Sequence, residues 1–245
     1  MAISEDASTP AVVHGTHGTG TTVTSASFTP PSSTLLVAIA NIGWDVVPSG
    51  TPTLSISDSV SGSWTVGPAS YSSGVGVQCK IFYRYLSSAP GSMTVTATSS
   101  DATSKSMQLG VRVVLGANSS QTGAGTLTNS NAGNDMAFTT TAANSWVYVA
   151  TGRGVNGALT ADANTTTING WDDTNSGDNL EIGRQTAATV TAGPLTLGWT
   201  GGDTSGDPFV GQEILIAATT GLIARSLYIM GSSENTQSMT RGMRY

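Results

Sequence analysis

Charge is the scarcest property of this sequence. Asp, Glu, Lys and Arg make up 10% of its 245 residues, against about a quarter in an ordinary globular chain. The nine Lys and Arg are dispersed, so there is no basic stripe and a nucleic-acid partner is not expected. Cys79 stands alone, which rules out an intrachain disulfide and a cysteine-based zinc site; it reads as a small buried hydrophobe. The only histidines, His14 and His17, lie close together in a Gly-flanked stretch. A Ser-His-Asp triad would have to use that pair, and two imidazoles without a third ligand hold a metal weakly. They read as surface residues of a strand or loop. No nucleophile elbow, phosphate-cradling Gly loop or His-Glu-x-x-His helix occurs. The chain is therefore expected to be no enzyme and to need no cofactor.

Long apolar runs are missing as well. No stretch of about twenty apolar residues exists, so membrane insertion is not expected. Residues 1–6 have neither the positive nor the apolar region of a signal peptide, which implies synthesis in the cytoplasm without export.

What is present is apolar residues at 38% in a background of Ser, Thr, Asn and 30 Gly. That combination supports a packed core, unlike a disordered chain rich in charge. Short β-rich runs with period-two alternation dominate. They cover residues 35–40, 53–57, 77–85, 93–98, 108–115, 146–150, 195–199 and 213–217. Turn clusters separate them, at Ser49-Gly50, Ser61-Gly62, Ala89-Pro90-Gly91 and Gly201-Gly202-Asp203. No window carries a convincing helical stripe.

The two halves resemble each other. Phe28 and the apolar run after it are answered 110 positions later by Phe138 and the run from Trp146. Ala89-Pro90-Gly91 is answered by Ala192-Gly193-Pro194, with Gly91 and Gly193 at an offset of 102. We expect an all-β chain of two tandem β-sandwich domains, jelly-roll or Ig-like. The expected segments are an N-terminal arm (1–7), a first domain (8–117), a second domain (118–220) and a C-terminal arm (221–245). Trp64 and Trp171, each after a Gly-containing turn, read as matching core plugs.

Acidic residues offer few sites. Residues 172–178 look superficially like a calcium loop, but the position for the bidentate Glu holds Arg184. An Asx-rich solvated turn is the reading, with a loose Ca²⁺ site on Asp173, Asn175 and Asp178 as the alternative. Glu213 is a lone acid at a strand start, and paired carboxylates for glycoside hydrolysis are not evident.

Several segments carry a family resemblance. They are Pro30-Pro31-Ser32-Ser33 before the 35–38 run, Ser57-Asp58-Ser59 with Gly62-Ser63-Trp64-Thr65, Tyr83-Arg84-Tyr85, Ala89-Pro90-Gly91, and residues 95–98. Together with residues 145–150, this pattern resembles the tandem β-sandwich virion proteins of tailed phages infecting actinobacteria, the minor tail and head decoration proteins. The resemblance spans about residues 8–218 and implies a non-enzymatic part of the particle, located in the virion. It favours a minor tail or tail-tip protein, with capsid decoration as the alternative. Other virion proteins are the implied partners, and a homo-oligomer is expected. A carbohydrate-binding or adhesin-like module that engages a host surface glycan is a further alternative. Its mark would be exposed aromatics, with Trp44, Tyr71 and Trp171 as the residues to inspect.

The C-terminal segment differs in character. It places Arg225, Leu227, Tyr228 and Ile229, then Met239, Arg241, Met243, Arg244 and Tyr245, in a short stretch holding three of the seven arginines. Arg, Met and Tyr are interface-enriched types, so these nine residues are the candidate partner-binding set. Deleting residues 222–245 is expected to leave the melting curve unchanged while abolishing assembly onto a particle or oligomer. Circular dichroism melting and sedimentation of the truncated chain check both halves of that expectation.

Overall fold

The computed structural model describes residues 2–103, 105–129, 135–175, 177–201 and 206–217. Within them the chain is all-β, with seventeen strands and no helix. The first half contributes β1 (Ser4–Glu5), β2 (Val13–His14), β3 (Thr22–Thr24), β4 (Thr34–Trp44), β5 (Leu54–Asp58), β6 (Thr65–Ser72), β7 (Val77–Leu86), β8 (Val95–Ser99) and β9 (Lys105–Leu115). The second contributes β10 (Thr126–Asn129), β11 (Asp135–Thr139), β12 (Trp146–Arg153), β13 (Thr160–Ala161), β14 (Thr165–Asp173), β15 (Asp178–Gln185), β16 (Pro194–Thr200) and β17 (Phe209–Ile214). No helix among the described residues is long and apolar enough to cross a membrane.

The strands form two larger and two smaller antiparallel sheets. The larger sheet of the first half runs β1-β9-β4-β7-β6, with β2 also on β9, and the smaller runs β3-β8-β5. The second half has β10-β17-β12-β15-β14 and β11-β16-β13. Adding eight to the numbers β2 to β9 converts the first arrangement into the second. In each half the first strand lies beside the last, the winding of a jelly roll rather than of an Ig-like sandwich. The similar sequence segments fall at matching places: Phe28 bridges Met93 and Phe138 pairs with Leu195, two positions after Gly91 and Gly193 respectively.

Where the cores sit departs from two separate sandwiches. One apolar cluster lies between the two sheets of the first half, with Leu36, Ala38, Ile42, Phe82 and Val95. Another lies between the sheets of the second half, with Phe138, Val149, Leu197 and Phe209. A third cluster joins the halves: Leu35, Val37, Ile39, Val77 and Ile81 of one large sheet pack against Tyr148, Ala150, Leu180, Ile182 and Val210 of the other. The molecule is thus four sheets deep, with the large sheets back to back in the middle. All eleven residues of β4 are buried. Residues 35–40 are therefore continuously apolar and do not alternate, a pattern usual in strands covered on both faces.

Residues 3–5 of the N-terminal arm dock on the fold itself. Ile3 is buried in the middle core, and β1 pairs along β9, Ser4 opposite Leu115 and Glu5 opposite Val114. At that same end of β9 the chain turns through Gly116 (φ +73°), where a Cβ would lie 2.7 Å from the Ala2 carbonyl oxygen. Only glycine suits that reversal. The linker after it is clamped by Asn118 N–H to Leu215 O and Ala217 N–H to Gly116 O, each 2.7 Å. Residues 218–245, with the whole C-terminal arm and its nine candidate residues, lie outside the described residues.

Since the middle core belongs to both halves, we expect them to unfold together. Differential scanning calorimetry is expected to give one transition with calorimetric and van't Hoff enthalpies equal. Ile39→Ala, cutting into the middle core, should cost about 2–5 kcal/mol and lower that single transition without splitting it. Two resolved transitions in the native chain would contradict the shared core.

Candidate functional site

The sequence candidates that lie among the described residues fall partly on the seam between the large sheets and partly in structural knots. His14 on β2 lies with Nε2 2.8 Å from Asn169 Oδ1 of β14, and its ring stacks on Trp171 at 4.3 Å. His17 instead contacts Asp45, at 2.9 Å. The two imidazoles thus serve different partners, and His14 ties the first half to the second. Trp171 is half-buried against the middle core, whereas Trp64 precedes β6 and packs against the first sandwich core. They are not matching plugs: Trp64 stands before its strand, Trp171 near the end of β14.

Behind this contact is a buried polar network. Asn41 on β4 donates through Nδ2 to Gln108 Oε1 (3.1 Å), Glu181 O (3.0 Å) and Thr151 O (3.4 Å). Gln108 in turn donates to Asn169 Oδ1 at 2.8 Å. Beyond the apolar centre of the seam, Glu5 accepts from Arg112 and from Tyr148 Oη (2.8 Å), with Arg184 Nε 3.9 Å away. Burial opposes ionisation of Glu5, but the Arg112 and Tyr148 donors and the Arg184 charge outweigh it and hold the carboxyl below its ordinary value. The Tyr148 phenol is pushed well up by burial and by the Glu5 charge. It stays a proton donor.

Two other carboxylates are also structural. Asp58, in the segment carrying the family resemblance, accepts from Val60 N (3.0 Å), Gly62 N (3.1 Å), Trp64 Nε1 (2.7 Å) and Arg84. Glu213 is fully buried and accepts from Gly125 N (2.6 Å), Thr141 N (2.9 Å), Thr141 Oγ1 (2.8 Å), Ala142 N (3.0 Å) and Ser145 Oγ (2.6 Å). In both, burial raises the pKa and these donors more than reverse it, leaving the group ionised. A carboxylate so saturated has no lone pair left for a substrate.

The acidic turn closes the β14–β15 hairpin, Asp173 opposite Asp178. Asp173 Oδ1 accepts from the backbone and side-chain nitrogens of Asn175, each 3.1 Å, and its other oxygen accepts from Ser106. That is an Asx turn. Among the described residues no three His, Cys, Asp or Glu gather as a metal site. No aromatic side chain among them is exposed either. Trp44 is buried and meets the half-buried Tyr71 edge-on at 6.0 Å, so the aromatic platform that would mark a glycan site is missing there.

One pocket of the second half combines chemistry with room. Its volume is about 310 Å³, and Leu159, Thr167, Gly170, Asp172, Asn179 and Glu181 line it. Leu180 and Ile182 face the middle core, so β-alternation turns Asn179 and Glu181 the other way. Glu181 is 4% exposed, and its Oε2, like Oδ1 of the buried Asn179, has no hydrogen-bond partner. Burial pushes the Glu181 carboxyl from 4.5 up to about 7; the Asn179 side chain opposes that rise and the Asp172 charge adds to it. Asp172 accepts from Gly157 N at 3.1 Å and Asn179 Nδ2 donates to Gly157 O at 3.1 Å, which pins the loop over the pocket. A larger depression of about 360 Å³ beside residues 185–195 has no charged lining residue. The sequence reading did not single out Glu181. The available signal was the alternation Asn179-Leu180-Glu181-Ile182-Gly183, with its polar members on one face.

The sign of the Glu181 effect is opposite to that of Glu5, Asp58 and Glu213. Its raised pKa means the folded chain holds a proton that the unfolded chain releases near 4.5. Stability therefore falls as pH rises from about 4.5 to 7, by on the order of 2–3 kcal/mol. Glu5, Asp58 and Glu213, with lowered values, lend stability above their ordinary pKa that is lost as pH falls. Glu181→Gln is expected to raise the melting temperature by several degrees at pH 8.5 and to leave it nearly unchanged at pH 4.5. Thermal melts at the two pH values check this; equal shifts at both would refute it.

Comparison with protein-family models, with curated proteins and with solved structures returned no match.

Proposed function

We propose that this chain is a non-enzymatic structural protein of a bacteriophage virion, a minor tail or tail-tip protein. The observation that carries the reading is the four-sheet block itself: two jelly rolls of identical strand order fused through a third core. Such a block is stiff because its halves cannot separate without exposing the middle core. Jelly rolls recur in viral capsid and lectin domains, an analogy of fold that adds to the family resemblance of the sequence. The fate of the buried acids agrees with it: Glu5, Asp58 and Glu213 serve to hold strands and turns together. Partners in this reading are other virion proteins and further copies of the chain, engaged through the C-terminal residues 222–245.

Capsid decoration is the second reading, favoured by the same rigid double jelly roll. A host-glycan role has less support, since every aromatic side chain among the described residues is buried or half-buried. Quantitative mass spectrometry of purified particles tests the proposal. The chain is expected in the particle at a few copies, as a tail-tip protein requires; hundreds of copies would move it to the capsid surface. Absence from particles made by a phage that expresses the chain would overturn the virion reading altogether.

A further inference from the structure

We propose that the pocket formed by β14, β15 and the loop at residues 156–159 binds a primary ammonium group, held by Glu181, Asn179 and Asp172. The inference does not rest on the virion reading. Its basis is a mismatch of donors and acceptors. Glu181 Oε2 and Asn179 Oδ1 are both acceptors, both belong to residues at least 96% buried, and neither has a donor. Buried acceptors left unpaired are costly, and native structures keep few of them. The exposed carboxylate of Asp172 stands at the same pocket. An alkylammonium head brings three N–H donors, no acceptor and one positive charge, which matches three acceptors of net negative charge.

The walls fit the rest of such a ligand. Ala158 and Leu159 supply an apolar side for an alkyl stem. Thr167 Oγ1 already accepts from Trp199 Nε1 at 2.7 Å, so that wall is fixed. Gly170 keeps the site open: a Cβ there would lie 2.5 Å from Glu181 Oε1. A metal ion is less suited, because no third His, Cys, Asp or Glu joins the pair among the described residues.

The charged groups around Glu181 are few. Asp172 faces it from β14. On β12, Arg153 is directed to Gly157 O, at 3.4 Å. Asp162, after β13, is itself raised by burial and by Asp135. The loop at 154–159 and β16 carry no charge. Among the described residues no cation pairs with Glu181, so an entering ammonium would serve as its counter-ion. Binding should therefore strengthen as pH rises through about 7, the value to which burial brings this carboxyl.

The test uses the full chain, with n-butylammonium as probe and n-butanol as its uncharged analogue, read from backbone amide shifts of Gly170 and Glu181 in ¹⁵N-correlated NMR spectra. At pH 8.5 the ammonium is expected to saturate, with n-butanol at least tenfold weaker. Lowering the pH to 5.5 should weaken the ammonium tenfold or more, and Glu181→Gln should weaken it as much at pH 8.5 while removing the pH dependence. Asp172→Asn, at an exposed position, gives a second variant expected to weaken binding severalfold with the melting curve kept. N-acetyl-lysine amide separates the sources: a site for a protein side chain takes it at least as well as n-butylammonium, and a site for a free amine takes it less well. Equal binding of n-butanol, an unchanged affinity in both variants, or no saturation by either amine at 100 mM would each overturn the proposal.

Discussion

Burial of β4 on both faces is the constraint from which the rest of the structure follows. One face, through Leu36, Ala38 and Ile42, closes the first sandwich, and the other, through Leu35, Val37 and Ile39, meets the second half. Once two large sheets stack back to back, their strands lose the solvent face that an ordinary sandwich keeps. Any polar side chain left there must be matched within the seam. The Asn41 amide nitrogen is so matched, with Gln108, on one side of the apolar patch, and Glu5 with Arg112 and Tyr148 on another.

This also accounts for how charge is used. A buried ion is costly unless its partners are arranged around it, and a chain with two inner sheets has many buried positions. The few ionised groups inside are accordingly saturated: Asp58 by two backbone N–H groups, an indole and a guanidinium, Glu213 by backbone and hydroxyl donors. Glu181 breaks the pattern. Its Oε2 has no donor and its carboxyl is brought near neutrality. Unlike Glu5, Asp58 and Glu213, this carboxylate lines a pocket, which is where an outside group can complete it.

Strand identity was largely legible in the residues. The runs at 35–40, 77–85, 108–115 and 146–150 all lie in strands, and Phe28 and Phe138 mark equivalent places. The β14–β15 hairpin was missed because its pattern is polar; Thr165, Asn169, Asp173, Asn179 and Glu181 hide the alternation that apolar residues would have displayed. Residues 213–217 were read as one strand, yet β17 covers Phe209–Ile214 and the remainder pairs with the linker at Gly116 to Asn118. Both stretches are apolar enough to be strand, and only pairing partners choose between them.

The sequence by itself determined that the chain is all-β, built of two similar halves, without a cysteine framework and poor in charge, because period-two patterning, turn residues and composition act locally. It could not determine that the halves share a third core, that Trp171 faces His14 across the seam, or that Glu181 enters a pocket without a donor. Those depend on which faces of distant strands meet, and an apolar strand face looks the same whether it will be covered by its own small sheet or by the other half of the molecule.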